Sequence, residues 1–144
     1  MNIAESLAPL LGRWIMAWFF LTQAYRYGLD WNSTAILLTM KNVPIPPVLL
    51  SVALAAAVLG SLSLVLGFWT RVGAFALFAI TVGATVGLHD FWHLRAIAAR
   101  DADYDVFARN LAIAGGLLVL IGTGSGGFGM DNLRRKSAGW KKRR

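Results

Sequence analysis

Long, almost uncharged apolar segments restrict the fold of this chain more than any other feature of its sequence. Hydrophobic residues make up 57% of the 144 residues and charged residues 15%, whereas soluble domains have about half and about a quarter. Each segment has roughly 17–22 residues, the length needed to cross a hydrocarbon core of about 30 Å. The sequence therefore predicts four membrane-spanning helices, at about residues 7–27, 48–68, 72–91 and 106–122.

The expected fold class is all-α: an integral membrane four-helix transmembrane bundle formed by residues 1–133, followed by a basic tail at 134–144. The turn Trp69-Thr70-Arg71 is so short that the second and third spans must form an antiparallel hairpin. Small residues at four-residue spacing, such as Ala56/Gly60 and Gly83/Gly87, predict close helix packing.

Two connections between the spans have recognisable local patterns. Asn32-Ser33-Thr34 predicts the N-cap of a short helix, which is too short to cross a membrane and is expected to lie along its surface. The polar residues Arg100, Asp101, Asp103 and Asp105 predict a loop before the fourth span. The outer connections should therefore be longer than the cytoplasmic one.

Lysine and arginine near the span ends predict the orientation in the membrane. Nine of the fourteen lie on the side of the two termini and five on the other, so both termini should be cytoplasmic. We expect a multi-pass protein of a cell membrane, of the bacterial inner-membrane type. A basic tail after an apolar segment suits anionic lipid headgroups rather than nucleic acid. The headgroup-binding candidates are Arg134, Arg135, Lys136, Lys141, Lys142, Arg143 and Arg144.

Several classes of chemistry are absent from the sequence. Without cysteine there is no disulfide, thiolate metal site or cysteine nucleophile. The sequence has no nucleotide-binding loop and no carboxylate pair, and Glu5 is its only glutamate. These features favour a protein without catalytic activity of its own.

Polar residues near the outer ends of the predicted spans form the candidate site, which we call the polar mouth. It would receive a quinone headgroup or a small oxyanion, between apolar walls formed by Trp18, Phe91 and Trp92. The alternative is structural: salt bridges to Asp90 and Asp105 would pin the helix ends. The residues of the polar mouth are Gln23, Arg26, His89, His93, Arg109 and Asn110.

Three of the charged or ionisable residues permit further readings. His89 and His93 share a helix face and are weak candidates for a metal site, since two imidazoles are an incomplete ligand set. The favoured interpretation is that they bond to headgroups, water or loop carboxylates, or contact a quinone. Arg13 lies inside the first span, where it is expected to extend towards the cytoplasmic surface. Its alternative partners are a backbone carbonyl or a neighbouring subunit.

Several motifs resemble those of the DoxX family. They are Phe107-x-Arg109-Asn110-Leu111-Ala112 with Gly115-Gly116-Leu117-Leu118, the glycine run with Met130-Asp131, Leu66-Gly67-Phe68-Trp69-Thr70-Arg71, His89-Asp90-Phe91-Trp92, and an early arginine, Arg13. The resemblance extends from about Arg13 to Asp131. The chain departs from the family pattern at Ala57, where a glutamate is common, so no role of that carboxylate carries over.

The resemblance implies a role near respiration, thiosulfate oxidation with quinone reduction, or redox-stress complexes. The leading hypothesis is a non-catalytic membrane subunit that anchors redox partners and borders a quinone site. No firmly bound cofactor is expected, and quinone is the one candidate. The alternatives are a self-contained quinone-linked oxidoreductase or small-molecule transporter using the polar mouth, and a lipid-binding scaffold held by the tail.

Overall fold

The computed structural model describes residues 3–88, 96–126 and 129, with side chains from residue 7 onwards. In these residues the chain is entirely helical apart from turns, which confirms the predicted all-α class. The described residues form five helices, which are in chain order α1 Ile3–Leu29, α2 Trp31–Met40, α3 Pro46–Leu66, α4 Thr70–Leu88 and α5 Ile97–Thr123.

Three of these helices, α3, α4 and α5, are long and apolar enough to cross a membrane. Only 28%, 28% and 17% of the residues in their most apolar segments are buried inside the protein. Helices that are apolar on nearly every face, yet mostly uncovered by protein, need lipid around them. These helices confirm three of the four predicted spans by length and composition. The remaining long helix, α1, carries Arg13 in its interior and is not among them.

The four long helices pack around one core. Helix α1 lies along α3, α3 along α4, and α4 along α5, while α2 rests on α3 and α1. The core side chains come from all four long helices: Ala17, Phe20, Ala24, Ala57, Leu64, Ala74, Leu77, Leu117 and Leu120. Most are small or aliphatic, which suits helices that meet by close packing in lipid.

Helices α3 and α4 approach each other closely at Gly60 and Gly73. A Cβ atom on Gly60 would lie 2.8 Å from Leu77 Cγ and 3.1 Å from the Gly73 carbonyl oxygen. Of the predicted small-residue pairs, Ala56/Gly60 therefore includes a true contact residue. The pair Gly83/Gly87 does not, because nothing in the described structure lies within 4 Å of a Cβ placed there.

The α3–α4 turn is as tight as the sequence predicts. Gly67 ends α3 with φ +65°, a left-handed conformation that glycine adopts without strain. The Ser63 hydroxyl donates to the carbonyl of Phe68 at 2.6 Å, and the Trp69 carbonyl accepts the first backbone bonds of α4. The turn therefore fixes α3 and α4 as an antiparallel pair.

Two local predictions are wrong. Asn32-Ser33-Thr34 lies inside α2, and Asp30 is the N-cap position, where its backbone carbonyl accepts bonds from Thr34. The polar loop predicted around Arg100–Asp105 is helical, because α5 begins at Ile97. Its first turns contain Ala98, Ala99 and Ala102, and alanine's high helix propensity outweighs the charges.

Candidate functional site

The bundle has two chemically different ends. Pro9 and Arg13 of α1, the α3–α4 turn and the last turn of α5 meet at one end. The other end holds the last turns of α1 and α4, the first turns of α3 and α5, and α2. These are the cytoplasmic and outer ends of the sequence prediction, and we use those two names for them.

At the cytoplasmic end Arg13 is almost completely buried, with 1% of its surface exposed. Its Nη1 donates to the backbone carbonyl of Ser125, just beyond the end of α5. The prediction that Arg13 extends to the membrane surface is therefore wrong, and the alternative of a backbone carbonyl partner is right. One signal was available: Arg13 shares a helix face with Ala17, Phe20 and Ala24, all core residues.

Two arginines contact the last turn of α5 and the glycine-rich segment that follows it. Nη2 of Arg71 donates to the Gly122 carbonyl at 3.2 Å. The Arg13 guanidinium lies beside both Gly67 and Gly129, so close that a Cβ on Gly67 would be 3.1 Å from Nη1. Cationic groups stabilise the carbonyl-rich C-terminal end of a helix. We call this cluster of Arg13, Arg71 and the carbonyls of Gly122 and Ser125 the arginine clamp.

Towards the outer end the core opens into a cavity of about 150 Å³. Its walls come from α1, α3 and α4, with one residue from α5. The lining residues are Phe19, Phe20, Gln23, Ala24, Tyr27, Leu50, Ala53, Leu54, Ala57, Ile80, Thr81, Ala84 and Asn110. Tyr27 and Ala84 are exposed, so the cavity reaches the surface of the bundle.

The cavity is mainly apolar, with polar groups from three helices. Gln23 and Asn110 contribute amides, which both donate and accept hydrogen bonds. Thr81 is 7% exposed, and its hydroxyl donates to the Leu77 carbonyl at 2.7 Å, which leaves the oxygen able to accept a bond. None of these described lining residues is a carboxylate, lysine or arginine. The cavity therefore suits an uncharged ring with hydrogen-bonding groups.

Ala57 is 6% exposed and lines this cavity. It occupies the position at which the family resemblance places a glutamate. A glutamate there would put a carboxyl group into the cavity wall, whereas alanine leaves space. The departure noted in the sequence therefore falls within the candidate site.

The structure brings only part of the predicted polar mouth together. Gln23 and Asn110 line the cavity, whereas Arg26 and Arg109 are exposed and do not line it. His89, Asp90 and His93 lie outside the described residues, as does the basic tail at 134–144. Asp105 is exposed on α5, and its role as a salt-bridge partner stays a prediction.

The predicted aromatic walls differ from those observed. Trp18 is 61% exposed and faces away from the cavity, where Phe19 and Phe20 form the wall instead. Phe91 and Trp92 lie outside the described residues. The sequence prediction also missed Tyr27 and Thr81. For Thr81 the reason is that a threonine inside an apolar span does not indicate which groups lie opposite its side chain.

Fold and site together define a small helical membrane protein with a mainly apolar cavity in its core. The chain belongs to the DoxX family, whose model matches residues 8–90. That match covers α1 from residue 8 onwards and all of α2, α3 and α4, and it ends before α5, so the motifs on α5 lie beyond it.

Two similar proteins extend this finding. The chain is 26% identical over 128 residues to the inner membrane protein YphA of Escherichia coli, covering 89% of this chain and 91% of that protein. It is 40% identical over 76 residues to the uncharacterized protein T02E1.7 of Caenorhabditis elegans, covering 49% of this chain. The matched region is 26% of the nematode protein's length. No solved structure matches.

Proposed function

We propose that this chain is a non-catalytic membrane subunit of a larger redox complex of respiratory type, in which it anchors partner subunits and borders a quinone site. The observation that carries the proposal is the core cavity of about 150 Å³. An apolar cavity of about this volume in another protein holds one benzene molecule. A quinone headgroup is a single ring of similar width.

The polar groups of the cavity suit the two carbonyl oxygens of a quinone. Each oxygen accepts hydrogen bonds, and amide N–H groups on two different helices, Gln23 on α1 and Asn110 on α5, are available as donors. Without a charged group in the described wall, an uncharged ring is favoured over the oxyanion considered from the sequence. The cavity would hold such a ring without supplying protons from a carboxylate, which agrees with a non-catalytic role.

We further propose that α1 is the fourth crossing and that both termini are cytoplasmic. Helix α1 has 27 residues and is therefore about 40 Å long, sufficient to cross the membrane. Its interior charge, Arg13, is buried in protein and not in lipid, which removes the main cost of inserting it. In the sequence, nine lysines and arginines lie on the side of the two termini and five on the other, which supports the orientation. The name of the E. coli relative supports an inner membrane location.

Exposed apolar side chains provide surface for partner subunits. On α1 alone, Leu11 is 56% exposed, Ile15 69% and Trp18 61%. In a membrane such faces contact either lipid or the helices of a partner. We propose that redox partners cover part of this surface.

Purification from native membranes in mild detergent tests the anchoring role. The protein should migrate on a native gel in a band heavier than the monomer, together with redox proteins. Recovery of the chain alone would contradict the proposal, and turnover of quinone by the purified chain alone would support the self-contained oxidoreductase instead.

Quinone binding is tested with a short-chain benzoquinone added to the purified protein, using quenching of tryptophan fluorescence. Gln23→Leu should weaken binding about tenfold, since it removes one amide from the cavity, a hydrogen bond of about 1–1.5 kcal/mol. Asn32→Leu, on the exposed surface of α2, is the matched control and should bind like the unaltered protein. Equal affinity in all three proteins would exclude the cavity as the quinone site.

A further inference from the structure

In the described structure, the contacts between α1 and α5 lie near one end of the bundle. The two helices run antiparallel, since Pro9 meets Gly126, Arg13 meets Ser125, and Met16 meets Gly116. All three contacts lie at the cytoplasmic end or just above it. Unlike the neighbouring helix pairs, α1 and α5 are not packed along their lengths in the described structure.

Helical spacing identifies the residues that face the boundary between α1 and α5, which we call the seam. On α1, Phe19 and Gln23 follow Met16 by three and seven residues and therefore share its face. On α5, Ala112 and Arg109 precede Gly116 by four and seven residues and share its face in the same way. These two rows of residues, one on α1 and one on α5, lie on either side of the seam from the Met16–Gly116 contact to the outer end.

Among the described residues, the two rows lie in different surroundings above Met16. Phe19 and Gln23 line the cavity, so this row of α1 borders its open space. Ala112 and Arg109 are both exposed, whereas Ile113, which precedes Gly116 by three residues, is half-buried and packs against the core. The cavity wall contains a single residue from α5, Asn110, against five from α1. Among the described lining residues, α5 therefore forms the smallest part of the wall.

We propose that the gap between these rows, bounded by Phe19 and Gln23 on α1 and by Ala112 and Arg109 on α5, is a lateral portal from the bilayer into the cavity. The ligand it fits is an uncharged ring carrying an apolar chain. The ring occupies the cavity, and the chain passes between α1 and α5 into the lipid. This inference rests on the proposed function, since it concerns access to the same cavity.

The chemistry of the gap is consistent with this ligand. Apart from Arg109, its border consists of the phenyl group of Phe19, the methyl group of Ala112 and the stem of Gln23. An apolar chain that lies against these groups leaves none of them without a hydrogen-bond partner. Arg109 stands at the outer edge, where a cation reaches the headgroup region by extending along its own apolar stem. A chain-free ring has no need of the gap and can enter at the exposed Tyr27 and Ala84 edge.

The test compares two probes, a benzoquinone with a decyl chain and the same ring without it, on protein in lipid nanodiscs. Ala112→Phe places a phenyl group in the gap, and Leu111→Phe places one on an outward face of α5, where Leu111 is 61% exposed. Ala112→Phe should weaken binding of the decyl probe at least tenfold and leave the chain-free probe unchanged. Leu111→Phe should change neither.

Two results would overturn the portal: equal weakening of both probes by Ala112→Phe, or no weakening of either. Gln23→Leu separates this inference from the proposed function. If Gln23→Leu weakens both probes while Ala112→Phe affects them equally, the cavity binds the ring but the chain takes another path. If Gln23→Leu affects neither probe, the quinone site itself is excluded. Helical circular dichroism and melting temperature of each variant establish that the bundle is intact.

Discussion

Arg13 and Ser125 are 112 positions apart in the sequence, yet the guanidinium of one donates to the backbone carbonyl of the other inside the protein. The contact joins the first long helix to the chain just after the last one. It therefore closes a bundle in which the other main contacts between long helices, as far as the structure describes them, join long helices that follow one another along the chain.

Arg13→Leu should destabilise the protein by about 2–3 kcal/mol, because a buried carbonyl loses a charge-assisted hydrogen bond. Arg13→Lys should destabilise the protein less than Arg13→Leu does. Lysine keeps the positive charge but lacks the planar guanidinium group with its several N–H donors. Thermal unfolding in detergent measures both. Arg100→Leu, at an exposed position of α5, serves as the control. A melting temperature for Arg13→Leu equal to that of the control would contradict a structural role for the arginine clamp.

Gly60→Ala should destabilise the protein by about 1–3 kcal/mol. The added methyl group would lie 2.8 Å from Leu77 Cγ and 3.1 Å from a backbone oxygen of α4, so the two helices must separate. Gly83→Ala makes the same chemical change where nothing lies within 4 Å, and should be neutral or stabilising by up to about 1 kcal/mol. The comparison is made by thermal unfolding. A larger loss at Gly83 than at Gly60 would show that the contact between α3 and α4 is wrongly placed.

Ala57→Leu should fill part of the cavity without altering its polar groups. Filling an apolar space stabilises the fold, here by about 1 kcal/mol, while a ring-shaped ligand loses its room. We therefore expect a higher melting temperature together with loss of benzoquinone binding. Ala55→Leu, an exposed change on the same helix, should leave binding intact. Unchanged binding in Ala57→Leu would mean that the ring does not occupy this cavity.

The proposed topology predicts opposite labelling of two engineered cysteines, and the natural chain contains none. Asn32→Cys on α2 should react with a membrane-impermeant thiol reagent added to intact cells. Phe68→Cys in the α3–α4 turn, where the side chain is 38% exposed, should react only after the membrane is opened. The reverse pattern would place the termini outside the cell, and equal labelling of both in intact cells would exclude an intact crossing between them.

The sequence predicts the long helices well because their apolar length dominates all other signals. The hairpin at Gly67 is equally predictable, since three residues leave no other path. The errors occur where local chemistry is ambiguous. Asn32-Ser33-Thr34 has good capping residues, but the helix begins one residue earlier than they do. The charges near Arg100 suggest a loop, although alanines between them favour helix.

The candidate site is less predictable for a geometric reason. Gln23 and Asn110 come together only because α1 and α5 both turn a particular face towards the cavity, which no single helix reveals. Arg26 and Arg109 look equivalent to them in the sequence, but each is rotated outwards. The burial of Arg13 could have been inferred from its helix face, whereas its partner could not, since the Ser125 carbonyl lies in a glycine-rich segment without a helical pattern.

The early start of α5 has a consequence for the outer surface. A helix of 27 residues is about 40 Å long, roughly 10 Å more than the hydrocarbon layer. With its apolar part from residue 106 onwards in the layer, the turns carrying Arg100, Asp101, Asp103 and Asp105 would project beyond it on a rigid helix. A soluble partner protein arriving on that side would meet three carboxylates and the Arg100 guanidinium at fixed spacing, and a mainly basic face would complement them.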